Sequence, residues 1–215
     1  LSLSTFSDLK SSVANWLNRA NLTARIPEFV QLAEARIAYG SIEQQFSSEP
    51  LRIRSMETSA SLTVNAQTVA LPTGYLSPRR LYLATTPIAE LEYTVPDVFW
   101  RTWLGSNQGQ PQSYTIEGEN LVFGPSPDVS YTGQFLYYKK FTALSADGDT
   151  NWLLTNSFGT YLHGTLLEAY KFIRNTEMAL VETSAFVGSI NALNLADKSD
   201  RYASPWRARP DSGSP

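Results

Sequence analysis

Phe46-Ser47-Ser48-Glu49-Pro50-Leu51-Arg52-Ile53-Arg54 is where the spacing of apolar residues changes. Before this stretch they recur every three or four positions, the repeat of one helix face. From Leu51 onward they alternate with polar residues, the repeat of a strand with one buried face. Pro50 stands at the join, where its missing N–H and fixed φ end any helix that reaches it. A second switch lies near Asp147-Gly148-Asp149, after which the helical repeat returns. Two switches predict an α+β chain: a helix pair over 1–50, a β domain over 51–149, a second helix pair over 150–202 and an extended tail over 203–215. The helices of both ends are expected to form one four-helix bundle. The β domain, antiparallel and built as a sandwich or small barrel, would be inserted between them.

Upstream of the first switch, Phe6, Leu9, Val13, Trp16, Leu17 and Ala20 mark one helix face, with Thr5 and Asp8 placed as a capping box and Asn21 as its end. A second helix is predicted from Pro27, a good first helical residue, to about Phe46. It carries two apolar stripes: Ile26, Val30, Ala33 and Ile37, and Leu32, Ala35, Tyr39, Ile42 and Phe46. Two stripes predict burial on two sides, within the fold or against a neighbouring subunit. In the middle, Tyr114-Thr115-Ile116 and Leu121-Val122-Phe123 flank Gly118 as a hairpin, and Pro96 to Leu104 fits a short helix. Most of the twelve prolines lie between Pro50 and Pro127, at turns between short runs. After the second switch, helices are predicted over Phe158 to Arg174 and Glu177 to Arg201. The last repeats Met178, Val181, Ala185, Gly188, Ala192, Leu195, Ser199 and Tyr202 in strict 3–4 spacing, small at its centre, which suits close helix contact. Tyr39, Ile42, Ala185, Gly188 and Ala192 are the residues predicted to meet a neighbouring subunit.

Composition narrows the chemistry. Of 215 residues, 42% are hydrophobic and 17% charged, with a net charge of −3. That argues against disorder and against a globally basic nucleic-acid binder. Cysteine is absent and His163 is the single histidine, which excludes disulfide scaffolds, thiol nucleophiles and multi-histidine metal sites. No window approaches ~18 consecutive apolar residues, so no membrane-spanning helix is expected. The first residues lack the basic start and apolar run of a secretion signal.

The candidate chemical groups favour ordinary structural roles. His163 and Glu168 are five apart, which does not place them one helical turn apart. Asp147-Gly148-Asp149-Thr150-Asn151 begins like a calcium loop but has Trp152 and Phe158 where that loop needs glycine and glutamate. Glu117 and Glu119 flank a tight turn rather than a cleft. No phosphate loop or nucleophile motif is present. No catalytic residue, metal ligand or cofactor site is therefore assigned, and no enzyme activity is expected. The C-terminal stretch differs: Arg201, Tyr202, Trp206, Arg207 and Arg209 combine three arginines and two aromatics without an acid, the residue types that anchor interfaces.

Several segments, in order, are similar to those of a known family. They are Ala24-Arg25-Ile26-Pro27-Glu28-Phe29-Val30-Gln31-Leu32-Ala33-Glu34-Ala35-Arg36-Ile37, then Leu71-Pro72-Thr73-Gly74-Tyr75-Leu76, then Tyr114 through Gly118 to Asp128. Tyr137-Tyr138-Lys139-Lys140 and Thr150-Asn151-Trp152-Leu153-Leu154 follow, leading into Leu166-Leu167-Glu168-Ala169-Tyr170. Together they resemble the head-to-tail adaptor (connector) proteins of short-tailed bacteriophages, from Phe6 to about Ala208. The resemblance implies a structural virion protein of the phage neck, assembled in the host cytoplasm as a ring of twelve copies beneath the portal protein. Such a ring extends the DNA channel, lets DNA pass without sequence-specific binding, and carries the tail nozzle and fibre proteins. It implies a portal-facing C-terminus, and the interface chemistry of Arg201, Tyr202, Trp206, Arg207 and Arg209 makes them the residues expected to dock there. The rival reading, drawn from the aromatic-rich β region, is a carbohydrate-binding module like those of tail fibres.

Overall fold

The computed structural model describes residues 3–43 and 46–202. The chain divides into two compact units, Leu1–Arg54 with Thr142–Pro215, and Ser55–Phe141. Helix α1 (Phe6–Leu17) begins with the expected capping box: the Asp8 N–H donates to the Thr5 hydroxyl and the Thr5 N–H donates back to the Asp8 carboxylate. It ends before Asn21, because Asn18 takes the left-handed conformation at φ 48°. Phe6, Leu9, Val13 and Leu17 are buried, whereas Trp16 is 56% exposed. A 3-10 turn (Ala20–Arg25) leads into helix α2 (Ile26–Tyr39).

Helix α2 stops at Tyr39 instead of running to Phe46. Gly40 adopts φ 78°, and a Cβ there would come within 2.7 Å of the Ser48 carbonyl oxygen. Glycine thus permits a turn that other residues resist. The chain folds back as a two-stranded antiparallel ribbon of β1 (Ser41–Glu43) and β2 (Phe46–Ser48). Ile42, predicted on a helical stripe with Tyr39, lies on β1. The apolar spacing ran on through Gly40 and masked the break.

The second unit contains β3 (Glu57–Val64), β4 (Thr68–Ala70), β5 (Tyr75–Leu83), β6 (Ala89–Tyr93), α3 (Pro96–Trp103), β7 (Ser113–Glu117), β8 (Asn120–Gly124) and β9 (Tyr131–Lys139). Its seven strands run in the order β3-β9-β5-β6-β7-β8-β4. End strands β3 and β4 adjoin in sequence, so the sheet curls nearly closed around Leu81, Leu83, Tyr114, Leu121, Phe123 and Phe135. The expectation of a wholly antiparallel sheet needs one correction: β6 and β7 pair in parallel. A parallel pair needs a long crossover, and residues 94–112, which contain α3, supply it. Phe99 buries α3 against the sheet, and the indole N–H groups of Trp100 and Trp103 donate to Glu117 and Ser113. Gly124 leaves the space that Trp103 fills, since a Cβ there would lie 2.4 Å from its ring.

The first unit is completed by α4 (Trp152–Asn156), α5 (Phe158–Phe172) and α6 (Thr176–Tyr202). Asn151 caps α4 by accepting from the Leu154 N–H. Helix α5 is the hub: α1, α2, α4 and α6 all pack on it. Its burial runs around nearly the whole helix, including Tyr161, Leu162, Leu166, Leu167 and Ala169, as a helix surrounded by others requires. Gly164 sets the separation. A Cβ at that position would lie 3.0 Å from Phe186 of α6 and 3.1 Å from Ala33 of α2.

Candidate assembly surface

Helix α6 is long, and its central part shows no charge to the outside. From Met178 to Ala196 it contains one charged residue, Glu182, and that residue is buried. The inward row is Ala179, Thr183, Phe186, Ile190 and Asn194. The sequence repeat through Val181, Ala185, Gly188, Ala192 and Leu195 is instead the outward row. Val181 and Leu195 are exposed, the latter by 68%, and nothing lies within 4 Å of a Cβ placed on Gly188. Strict spacing located a real apolar face, but not the one that packs on α5. A helix that buries one apolar row and leaves an uncharged, partly apolar row outward is suited to being covered on both sides.

Helix α2 repeats the pattern. Ile26, Val30, Ala33 and Ile37 are buried, and Leu32, Ala35 and Tyr39 face outward, with Tyr39 62% exposed. The charged residues between them turn inward. Arg36 pairs with Glu168 of α5, and Glu34 accepts from the Leu144 N–H and the Tyr161 hydroxyl. Burial pushes the Glu34 carboxyl above its ordinary range, against the pull of those two donors. Burial, with the Glu34 charge adding to it, likewise raises the Tyr161 hydroxyl.

The inward polar residues of the helical unit hold the two segments by which the chain leaves and re-enters it. Asn194 accepts from the Arg52 N–H and donates to the Pro50 carbonyl. One turn later Asp197 accepts from the backbone N–H and the guanidinium of Arg54, and from Arg201. Burial pushes the Asp197 carboxyl up, but those donors outweigh it and hold the carboxyl below its ordinary range. On the return segment, Asn151 donates to the Thr142 carbonyl and to the Tyr161 hydroxyl. The Phe6 and Ser7 N–H groups donate to the carbonyls of Asp149 and Asp147, so the start of α1 is tied to the same loop.

The remaining groups singled out in the sequence fall in separate places. The His163 Nδ1–H donates to Glu182 at 2.7 Å, and Trp16 stands edge-on to the imidazole. The histidine therefore joins α1, α5 and α6, and its acid is nineteen residues away in sequence, beyond the reach of a spacing argument. Glu117 accepts from Trp100. Asp149 closes its own turn by accepting the N–H groups of Ala146 and Ser145, which hold its carboxyl below the ordinary range. No cluster of three or more His, Cys, Asp or Glu side chains suited to a metal occurs among the described residues. No helix among them is long and apolar enough to cross a membrane. Ala185, Gly188 and Ala192 share one face of α6, while Tyr39 and Ile42 are split between α2 and β1. Of the residues predicted to meet a portal, Arg201 is paired with Asp197 at the end of α6. Trp206, Arg207 and Arg209 lie outside the described residues, and so does the side chain of Tyr202.

The chain matches the family model described as SU10 adaptor protein over residues 4–209. No curated protein matches it.

Proposed function

The chain belongs to the SU10 adaptor protein family, phage head-to-tail adaptors, and on that premise we propose that it forms the ring that joins portal to tail. In this reading twelve copies assemble beneath the portal protein, in the host cytoplasm, and remain in the neck of the virion. The helices of both termini act as one four-helix body that builds the ring, with the β domain inserted as a separate module. The ring prolongs the DNA channel without reading sequence and offers the seat for nozzle and fibre proteins. Neighbouring copies meet through Tyr39, Ile42, Ala185, Gly188 and Ala192, and the C-terminal residues Arg201, Tyr202, Trp206, Arg207 and Arg209 engage the portal.

The observation that carries this reading is the uncharged outward face of α6. An exposed face without charge over about five turns is unfavourable in water and favourable against another protein surface. The portal role of the C-terminal residues rests on chemistry: an indole buries ~150–250 Å² when it enters a pocket, and the flanking arginines suit carboxylates. Native mass measurement of the chain mixed with purified portal tests the ring, with twelve copies per portal ring expected. A chain that stays monomeric with portal at saturating concentration overturns it. Deletion of residues 203–215 should leave thermal unfolding unchanged and abolish portal attachment. Attachment at wild-type affinity would assign the contact to other residues.

A further inference from the structure

We propose that the edge of β3 is a strand-addition site, which takes an extended, uncharged segment of another polypeptide as one more strand of the sheet. The direction of the main chain shows the edge. The Ala84 N–H donates to the Thr132 carbonyl, so Thr132 and every second residue of β9 after it turn their main-chain groups toward β5. Gly133, Phe135 and Tyr137 turn theirs toward β3, where they pair with Leu62, Ala60 and Thr58. The register between β3 and β9 is unbroken from Glu57 to Val64, so the N–H and C=O groups of Ser59, Ser61 and Thr63 point away from β9. Among the described residues β3 has no other ladder neighbour, and all three of these residues are exposed. The other end strand, β4, has three residues and follows β3 through residues 65–67, so it accompanies at most the Val64 end of β3. Ser59 and Ser61 lie beyond it.

A free edge of this length is ordinarily guarded by lysine, proline or a bulge. None of these occurs in β3: the chain carries no charge between Glu57 and Arg79, and no proline lies within the strand. Glu57, at its start, is held by Arg79 at 3.1 Å. The alternation of the strand defines what fits. Ala60 and Leu62 pack on the buried cluster that contains Leu81, Leu83 and Phe135, whereas Ser59, Ser61 and Thr63 face water. A strand of about five residues, ~17 Å, laid along Glu57 to Ser61 therefore needs small or branched apolar side chains at alternate positions and no charge among them. Its own N–H and C=O groups, repeating every second residue, match those of Ser59 and Ser61, the pairing by which extended peptides join sheet edges. A second copy fits less well. Two β3 edges would pair isologously and close on two copies, against the ring proposed above, and β4 of another copy offers only three residues. The occupant is therefore a different polypeptide.

Residue-resolved amide hydrogen exchange on the full chain, below the concentration at which it assembles, tests this site apart from the ring. In the free chain the Ser59 and Ser61 amides should exchange fast and those of Ala60 and Leu62 slowly. The probe is a capped peptide of five residues alternating valine and threonine, followed by two lysines for solubility. Added in excess, it should slow Ser59 and Ser61 by one plus the ratio of its concentration to Kd, about fivefold at four times Kd. Two N-methylated versions, each blocking one alternate set of peptide amides, separate main-chain pairing from apolar contact, and one of the two should bind about tenfold more weakly. Ser61→Pro removes an outward N–H without breaking the β9 ladder and should abolish the protection of Ser59. Ser59→Lys, which places a guard on the edge, should weaken the peptide about tenfold and serves if the proline variant does not fold. Slow Ser59 and Ser61 amides in the dilute free chain would mean that the chain covers this edge itself, and protection that grows with protein concentration would make a second copy the occupant. Either result overturns the proposal. So does a peptide that protects neither amide, one indifferent to N-methylation of both sets, or folded edge variants that bind it as wild type does.

Discussion

Asp197→Ala should loosen the segment by which the chain leaves the helical unit, and the size of the loss can be worked from the structure. The substitution removes the acceptor of the Arg54 backbone N–H at 2.8 Å, of the Arg54 Nε–H at 3.2 Å and of the Arg201 guanidinium. The part-buried backbone N–H has no other partner at hand, and stranding such a donor costs ~1–3 kcal/mol. The Arg54 side chain is 52% exposed and returns to water, so its share is small. The i,i+4 pair with Arg201 adds a few tenths of a kcal/mol, and the better helix propensity of alanine offsets about 0.5. A net loss of ~1–3 kcal/mol follows, about 2–12 °C in melting temperature for a chain of this size. The Asp197 carboxyl is held below its ordinary value of 3.8. Its contribution is therefore fully present above that value and is lost as pH falls through the lower folded value. Urea midpoints of wild type and variant should differ most from pH 5 to 7, and the gap should narrow toward pH 3 to what a neutral acceptor still gives. Asp197→Asn, which keeps an oxygen for the Arg54 N–H, should lie between them at neutral pH. A gap between wild type and Asp197→Ala that stays constant from pH 7 to pH 3 would refute the assignment of this carboxylate as the charged acceptor.

Glu34 carries the opposite sign. Burial raises its folded pKa above 4.5, so its ionisation costs stability above that range and nothing below it. Glu34→Gln keeps an acceptor for the Leu144 N–H and should match wild type at pH 4 and exceed it at pH 8, in urea midpoints at the two pH values; a variant weaker at both would contradict the reading. Gly124→Ala would place a Cβ 2.4 Å from Trp103 and 2.8 Å from Phe99, an overpacking cost of ~1–3 kcal/mol or more. The Trp103 indole should then lose Ser113 and its emission should shift to the red; an unchanged spectrum and melting temperature would show that α3 is not seated on Gly124.

The period switch after Phe46 and the one near Asp149 were legible because helix and strand impose different repeats on the same apolar residues. The capping box at Thr5, the hairpin around Gly118 and the short helix at Pro96 were legible because each is a local chemical signal. The end of α2 was not, because Gly40 sits inside an apolar spacing that continues past it. The parallel pairing of β6 with β7 is fixed by where a crossover docks, and no local pattern encodes that. Glu182 as the partner of His163, and Asp197 as the partner of Arg54, join residues 19 and 143 positions apart. Glu182 could have been suspected from one signal, an acid alone in an uncharged run from Met178 to Ala196, whereas Asp197 stands among Lys198, Asp200 and Arg201 and carries no such signal. The outward row of α6 was legible in the sequence as an apolar row and assigned there to a neighbouring subunit, but periodicity shows only that a face is apolar and not which surface covers it.

Gly164 and Gly188 show the same limit and can be tested together. Both lie within helices, and although the sequence marks Gly188 for a subunit contact, it does not show that Gly164 is the more tightly packed of the two. In the structure Gly164 lies where α5 meets both α2 and α6, with Ala33 and Phe186 3.0–3.1 Å from the position of a Cβ. Gly188 faces outward with nothing within 4 Å. Replacing a helical glycine with alanine gains ~0.8–1 kcal/mol from backbone entropy alone. At Gly188 that gain should appear undiminished in the unassembled chain. At Gly164 the overpacking cost of ~1–3 kcal/mol opposes it, and the net effect should run from neutral to ~2 kcal/mol destabilising. Denaturant titration of the two alanine variants, at a concentration where no ring forms, should therefore move the midpoints apart, upward for Gly188→Ala and not upward for Gly164→Ala. Equal upward shifts would mean that α5 has room to spare at the crossing of three helices. Equal downward shifts would mean that the outward face of α6 is already covered within a single chain.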